Sequence, residues 1–421
     1  MAAGASTVAG GVTTPLGFRA AGVSAGIKAN NALDLALLVA DQPATAAAVF
    51  TTNRAQAAPV VLSREHLRAS GGTARAIIVN SGCANACTGS DGMRAATEMA
   101  AETARLLGCP IEHVLVASTG VIGVALPIDK IRAGLPLALG ALGSGEDRGG
   151  ANAARAIMTT DPFPKESATR LSLRGPGINA GTGASGSFGI RDVAIGGMTK
   201  GSGMIEPMMA TMLGFVTTDA AIPPALLDRA LRAAVDVTFN AITVDGECST
   251  NDCVMALASG ASGAAVTDAN YDAFLAGLTT VCRDLALGIV RGGEGATKLI
   301  TVNVTGAASS REAKKCAKAI ANSLLVKTAI HGGDPNWGRL IAVAGRADVA
   351  FELERAAVSI GTITLFENGQ PHDENAPRAA EYLRGKDIAV GVSLGAGEAS
   401  ATVWTCDLSA EYVRINADYR T

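Results

Sequence analysis

Apolar residues fall along the chain in two kinds of run. Short β-rich runs ending near glycine or asparagine recur as ARAIIVNSG (74–82), HVLVASTG (113–120), TKLITVNVTG (297–306), AAVSIGTITLFENG (356–369), DIAVGVSLGAG (387–397) and SATVWTCDLS (400–409). Each reads as one buried or half-buried strand. Between them the spacing predicts amphipathic helices over GMRAATEMAAETARLLG (92–108), PPALLDRALRAAVDVTFNAI (223–242), DANYDAFLAGLTTVCRDLALGIV (268–290) and SSREAKKCAKAIANSLLVKTAI (309–330). The two kinds do not alternate in a strict βαβ rhythm. The expected fold class is therefore α/β (α+β), with mixed β-sheets layered with helices rather than a doubly wound sheet. Residues 172–197 are rich in glycine and serine and read as a hairpin leading into Lys200.

Composition narrows the functions available. The chain has 421 residues, 48% hydrophobic, 17% charged and 4% aromatic, with a net charge of −3. Such a chain buries a sizeable core, and its length suits two to three domains. It carries no basic patch for nucleic acid or an anionic membrane, so a small molecule is the expected partner. The first 22 residues lack a basic stretch followed by an apolar one, and the longest apolar run, GLPLALGALG (134–143), is short of a membrane span. A soluble cytosolic protein is expected. Neither Cys83/Cys87 nor Cys248/Cys253 has zinc-site spacing, no histidine lies near either pair, and no metal is expected.

The standard catalytic templates fail in context. Gly181, Gly183 and Gly186 match a dinucleotide-loop spacing, but a strand-like FGIRDVAIGG follows where a helix is required. Gly391, Ser393 and Gly395 frame a serine, yet His66, His113, His331 and His372 all precede it, against the hydrolase order. Ser393 reads as a strand end.

A nucleophile without a histidine needs another base, and an N-terminal residue brings its own α-amine with a pKa of about 8. The segment KGSGMIEPMMATMLGFVTTD (200–219) directs attention to Thr211, which 210 residues precede and which opens a stretch of 211. Scission between Ala210 and Thr211 would turn this threonine into an N-terminal nucleophile. On pattern alone, a threonine opening TMLGFV also reads as a helix start or a core residue.

KGSGMIEPMMATML resembles the signature of the ornithine acetyltransferase family, also called the bifunctional glutamate N-acetyltransferases of arginine biosynthesis. GFRAAGVSAGIKA, NSGCANACTG, STGVIG, AIMTTDPFPK, DGECSTND, EGATK, residues 323–339 and YVRINADYRT resemble further family blocks, in family order, over essentially the whole chain. The resemblance implies a fold like that of self-processing aminopeptidases. It implies self-cleavage between Ala210 and Thr211 into chains 1–210 and 211–421, assembled as a tetramer of two of each. Thr211 would take acetyl from N-acetylornithine, hold it as an ester and pass it to glutamate by a ping-pong mechanism, with no cofactor. Some family members also accept acetyl-CoA as donor.

By the same resemblance, the hydroxyl of Thr119 and the N–H of Gly120 form the oxyanion hole, and Thr159, Lys200, Thr211, Glu294, Asn416 and Thr421 bind substrate. Lys200 suits a carboxylate and Glu294 an ammonium. Met208, Glu247, Cys248 and Cys253 depart from common family residues, which leaves substrate preference open. An N-terminal-nucleophile amidase, a non-catalytic paralogue and an acetyltransferase of secondary metabolism are the alternatives. His331, Gly332, Asp334, Trp337 and Arg339, and likewise Asp245, Asn251 and Asp252, form polar clusters to which the sequence assigns no catalytic role.

Overall fold

The structure is a computed structural model that describes residues 6–143, 149–178, 185–206 and 212–418. Among the described residues, fifteen strands form two sheets packed with helices. The larger sheet holds β1 (Ser6–Val8), β2 (Phe18–Val23), β3 (Leu35–Phe50), β4 (Thr73–Cys83), β5 (Val114–Val121), β6 (Lys165–Ile178), β7 (Ser185–Lys200), β8 (Leu213–Thr218) and β9 (Cys253–Ala258). They run in the order β1-β6-β7-β8-β9-β3-β4-β5, with β2 beside β3. The pairs β8/β9 and β4/β5 are parallel and the others antiparallel, so the sheet is mixed.

β3 is the splice of this sheet. Its first half pairs with β2 and β4 and its second half with β9, across a register shift between Val39 and Ala44. The alternation of its side chains sends Leu35, Leu37 and Val39 to one face and Ala36, Leu38 and Ala40 to the other. One face is covered by helices: Gly89–Leu107 and Ile128–Gly140 pack over β3 to β5, and Pro224–Asp236 and Tyr271–Arg291 over β6 to β9. The opposite face is closed by Val12, Phe18 and the short helix Gly150–Ala156.

The smaller sheet comprises β10 (Leu299–Ala307), β11 (Ala357–Ile360), β12 (Ile363–Glu367), β13 (Gln370–Pro371), β14 (Asp387–Ser393) and β15 (Ala399–Cys406). Its order is β13-β12-β11-β14-β10-β15, with helices Ser310–Ala321, Leu324–Gly332 and Trp337–Gly345 contributing to its core.

Most predicted elements are present, and the mixed sheets match the expected class. Four readings change. AAVSIGTITLFENG is a hairpin of β11 and β12, turned at Gly361, and 309–330 is two helices because Ser323 caps a second one by accepting the Val326 N–H. LGFVTT is a strand and no helix start, since it completes the hydrogen bonding of both β7 and β9. The helix Tyr271–Arg291 is long and apolar enough to cross a membrane by length and composition, which the sequence reading did not flag. Here its Phe274, Leu278, Val281 and Leu285 are buried in the core under β6 to β9. Ser393 does end a strand.

Phe215 in β8 is fully buried. Phe215→Ala is expected to cost about 3–5 kcal/mol, because the strand ladder prevents collapse onto the void. Urea denaturation of the variant against the parent chain measures it.

Candidate active site

The strands set the chemistry by where they end. Parallel pairing of β4 with β5 brings Gly82 opposite Gly120, so Thr119 and Gly120 stand at the end of β5. Gly120 has φ +129°, and a Cβ there would fall 2.3 Å from the Gly82 carbonyl carbon. Only glycine fits. β7 ends at Lys200, and β8 starts beside β9 with Leu213 opposite Cys253, which sets Met212 next to Asp252.

These ends surround a cavity of about 150 Å³. Thr119, Gly120, Thr159, Lys200, Glu294 and Asn416 all line it. Six of the residues named from the sequence are thus brought together from separate segments. Ala210, Thr211 and Thr421, also expected at the site, lie outside the described residues, as does Met208.

The polar contacts define what the cavity can hold. Lys200 Nζ donates to Thr119 Oγ1 at 3.0 Å. That bond uses a lone pair of the hydroxyl and leaves its proton available to an acceptor in the cavity. Across from it, the Glu294 carboxylate accepts from Thr160 Oγ1 at 2.7 Å and from Asn416 Nδ2 at 2.8 Å. Both donors are neutral, and a carboxylate has about four acceptor positions, so Glu294 retains capacity for a cation. Gly203 makes room for it, since a Cβ there would lie 2.4 Å from Glu294 Oε2.

Asp161 fixes the spacing of this wall. Its carboxylate is fully buried, pairs with Lys165 Nζ at 2.6 Å, and accepts the Gly201 N–H at 2.7 Å and the Thr159 N–H at 3.0 Å. Burial raises the pKa of this group, but Lys200, Lys165 and the Thr159 N–H outweigh burial and hold it down to about 2.

Several lining residues were not recognised from sequence. Asp245 accepts the Met204 and Ile205 N–H groups at 2.6 and 2.8 Å and the Tyr412 hydroxyl at 3.3 Å. Asn251 Nδ2 donates to the Ala84 and Ser118 carbonyls, tying the approach to β9 to the ends of β4 and β5. Asp252, Thr160 and Glu247 also line the cavity. DGECSTND and AIMTTDPFPK were matched only as family blocks without a role for these residues, and the density of polar residues in DGECSTND by itself fits a structural loop equally well. The HGGDPNWGR cluster, by contrast, is structural: His331 bonds Asp407 at 2.6 Å, Trp337 stacks on Phe366, and Arg339 caps the Leu325 carbonyl. Among the described residues, no group of His, Cys, Asp and Glu is placed to hold a metal ion.

A hydroxyl polarised by lysine at a strand end, with a carboxylate across the cavity, suits an enclosure for a small molecule carrying both signs of charge. The donors at the strand end suit a developing oxyanion. The ArgJ family model matches residues 19–421, and the chain belongs to that family. The arginine biosynthesis bifunctional protein ArgJ of Symbiobacterium thermophilum is 49% identical over 419 residues, covering 98% of this chain and 99% of that protein. Its namesake from Bacillus anthracis is 45% identical, covering 98% and 97%. Among solved structures, the Bacillus halodurans ArgJ chain is 45% identical with a TM-score of 0.48, covering 50% of this chain and 100% of its own. The Mycobacterium tuberculosis ornithine acetyltransferase, complexed with ornithine, is 40% identical with a TM-score of 0.41 and the same coverage.

Asp161 binds its proton less readily folded than unfolded, so its stabilisation is present above about pH 4 and is lost as pH falls towards 2. The loss should be on the order of 2 kcal/mol. Asp161→Ala, which strands Lys165, should cost about 3–5 kcal/mol at pH 7, and much of the acid sensitivity between pH 4 and 2 should vanish with it. Urea melts of both chains at pH 7, 4 and 2.5 test this.

Proposed function

We propose that the protein transfers acetyl from N-acetylornithine to glutamate, giving ornithine and N-acetylglutamate in arginine biosynthesis. The observation that carries this reading is the meeting of Thr119, Gly120, Lys200 and Glu294 around one cavity that Met212, the residue after Thr211, also lines. Membership in a family whose relatives are named as arginine-biosynthesis proteins supports it.

In this reading the chain cleaves itself between Ala210 and Thr211, and chains 1–210 and 211–421 remain together as two of each. The new α-amine of Thr211 takes the hydroxyl proton as Thr211 attacks the acetamide carbonyl. The Thr119 hydroxyl and the Gly120 N–H stabilise the oxyanion, an effect of about 3–4 kcal/mol per donor. Lys200 receives the substrate carboxylate and Glu294 the ammonium, with Thr159, Asn416 and Thr421 completing the pocket. Ornithine leaves, glutamate enters the same pocket, and its amine takes the acetyl group from the Thr211 ester. The enzyme works in the cytoplasm without a cofactor.

The denatured mass of purified protein, with N-terminal sequencing, should show two chains of about half the 42.2 kDa total, one beginning Thr-Met-Leu-Gly-Phe. Thr211→Ala should remain whole and inactive. A Thr211→Ala chain that still splits at this bond overturns the mechanism. Acetate release from N-acetylornithine that glutamate does not alter would instead indicate a hydrolase.

A further inference from the structure

The proposed reaction brings two opposite charges to one place. Asp245, Glu247 and Glu294 line the far wall of the cavity, which suits the side-chain ammonium of N-acetylornithine. Glutamate carries a side-chain carboxylate to the same wall. It needs a hydrogen-bond donor there, and that donor has to come free without stranding the group it leaves, since an acceptor deprived of its partner away from water is costly.

Among the described residues, three side chains donate to Asp245 and Glu294: Thr160 and Asn416 to Glu294, at 2.7 and 2.8 Å, and Tyr412 to Asp245 at 3.3 Å. They are not equally free to turn. Moving Thr160 or Asn416 takes from Glu294 one of its two neutral donors just as a like charge arrives. Asp245 keeps the N–H groups of Met204, Ile205 and Glu247, at 2.6, 2.8 and 3.2 Å, whether or not the phenol stays. The Tyr412 bond is also the longest of the three side-chain bonds, and such bonds weaken with length.

The chain seats this phenol closely. Tyr412 and Asn416 stand four residues apart on the helix Ala410–Asp418 and share the face turned to the cavity. Gly295, next to Glu294, lets that helix in: its φ is +69°, and a Cβ there would lie 2.5 Å from the Tyr412 nitrogen. Ser409 Oγ ties the start of the helix to the Gly295 carbonyl at 2.6 Å. Burial, followed by the carboxylates of Asp245, Glu294 and Glu247, raises the pKa of the phenol, so it keeps a proton to donate at neutral pH.

We propose that Tyr412 is the residue that reads the side-chain carboxylate: its hydroxyl turns from Asp245 to glutamate and takes no part in holding the ammonium of N-acetylornithine. This deepens the acetyl-transfer reading above and rests on it. An ammonium offers no acceptor for the phenol proton, and the Glu294 carboxylate binds it more strongly than a neutral oxygen does. With N-acetylornithine bound, the hydroxyl therefore stays on Asp245. One wall thus serves two side-chain ends of opposite charge, with Glu294 for the first and Tyr412 for the second.

The test is the steady-state kinetics of Tyr412→Phe beside the parent protein, with N-acetylornithine and glutamate varied in turn. The ring is half-buried and the substitution keeps it, so the thermal melt should stay within a few degrees of the parent. KM for glutamate should rise about 10- to 100-fold, the loss of one hydrogen bond to a charged group, while KM for N-acetylornithine stays within about twofold. In the reverse direction KM for N-acetylglutamate should rise by a similar factor and KM for ornithine should not. Equal rises for both members of a pair, or an unchanged KM for glutamate, overturn the role of Tyr412 and leave the acetyl-transfer reading standing. A parent protein that moves no acetyl from N-acetylornithine to glutamate overturns that reading and this role together.

Discussion

One buried carboxylate holds a wall of the cavity in register. Asp161 joins three stretches, the Thr159 turn, Lys165 at the start of β6, and Gly201 just past the end of β7, and so ties the turn to the paired ends of β6 and β7. The Lys165 ammonium neutralises it in a place closed to bulk solvent. Because Gly201 is pinned, Lys200 leaves its strand at a set point and reaches Thr119 on the far side of the sheet. A surface ion pair would not hold the spacing this firmly, since solvent screening and side-chain entropy would take most of its energy.

The cavity is therefore a property of strand ends more than of loops. β5, β7, β8 and β9 deliver their terminal residues to one edge of the mixed sheet, and Asn251 and Asp245 tie the intervening segments to them through main-chain hydrogen bonds. Groups mounted on such a ladder move little. The far wall is built differently. Glu294 follows the long core helix, and its two neutral donors come from a turn and from the helix Ala410–Asp418.

Part of this was legible in the sequence. β4, β5, β10, β14 and β15 are compact apolar runs bounded by turn residues, and the structure keeps them. β3 was not seen, because LALLVADQPATAAAVF carries Asp41, Gln42 and Pro43 in its middle and alanine through its second half, where small side chains give little period-2 signal. β8 was misread since a strand buried on both faces has no alternation at all. Within the site, Thr119, Gly120, Lys200 and Glu294 were found because short family blocks carry them. Asp252 and Tyr412 were not, because their meaning lies in a register and a helix docking that no local spacing encodes.

The helix Ala410–Asp418 has no fully buried residue, yet it carries Tyr412 and Asn416 into the cavity. A ribosome delivers the chain from its N-terminus, so the groups around Met212 and Asp252 emerge long before this helix does. Between those two moments the nascent protein owns its strand ends but not the helix that completes the far wall of the cavity. The two walls of the cavity thus become available in sequence, ordered by the direction of synthesis.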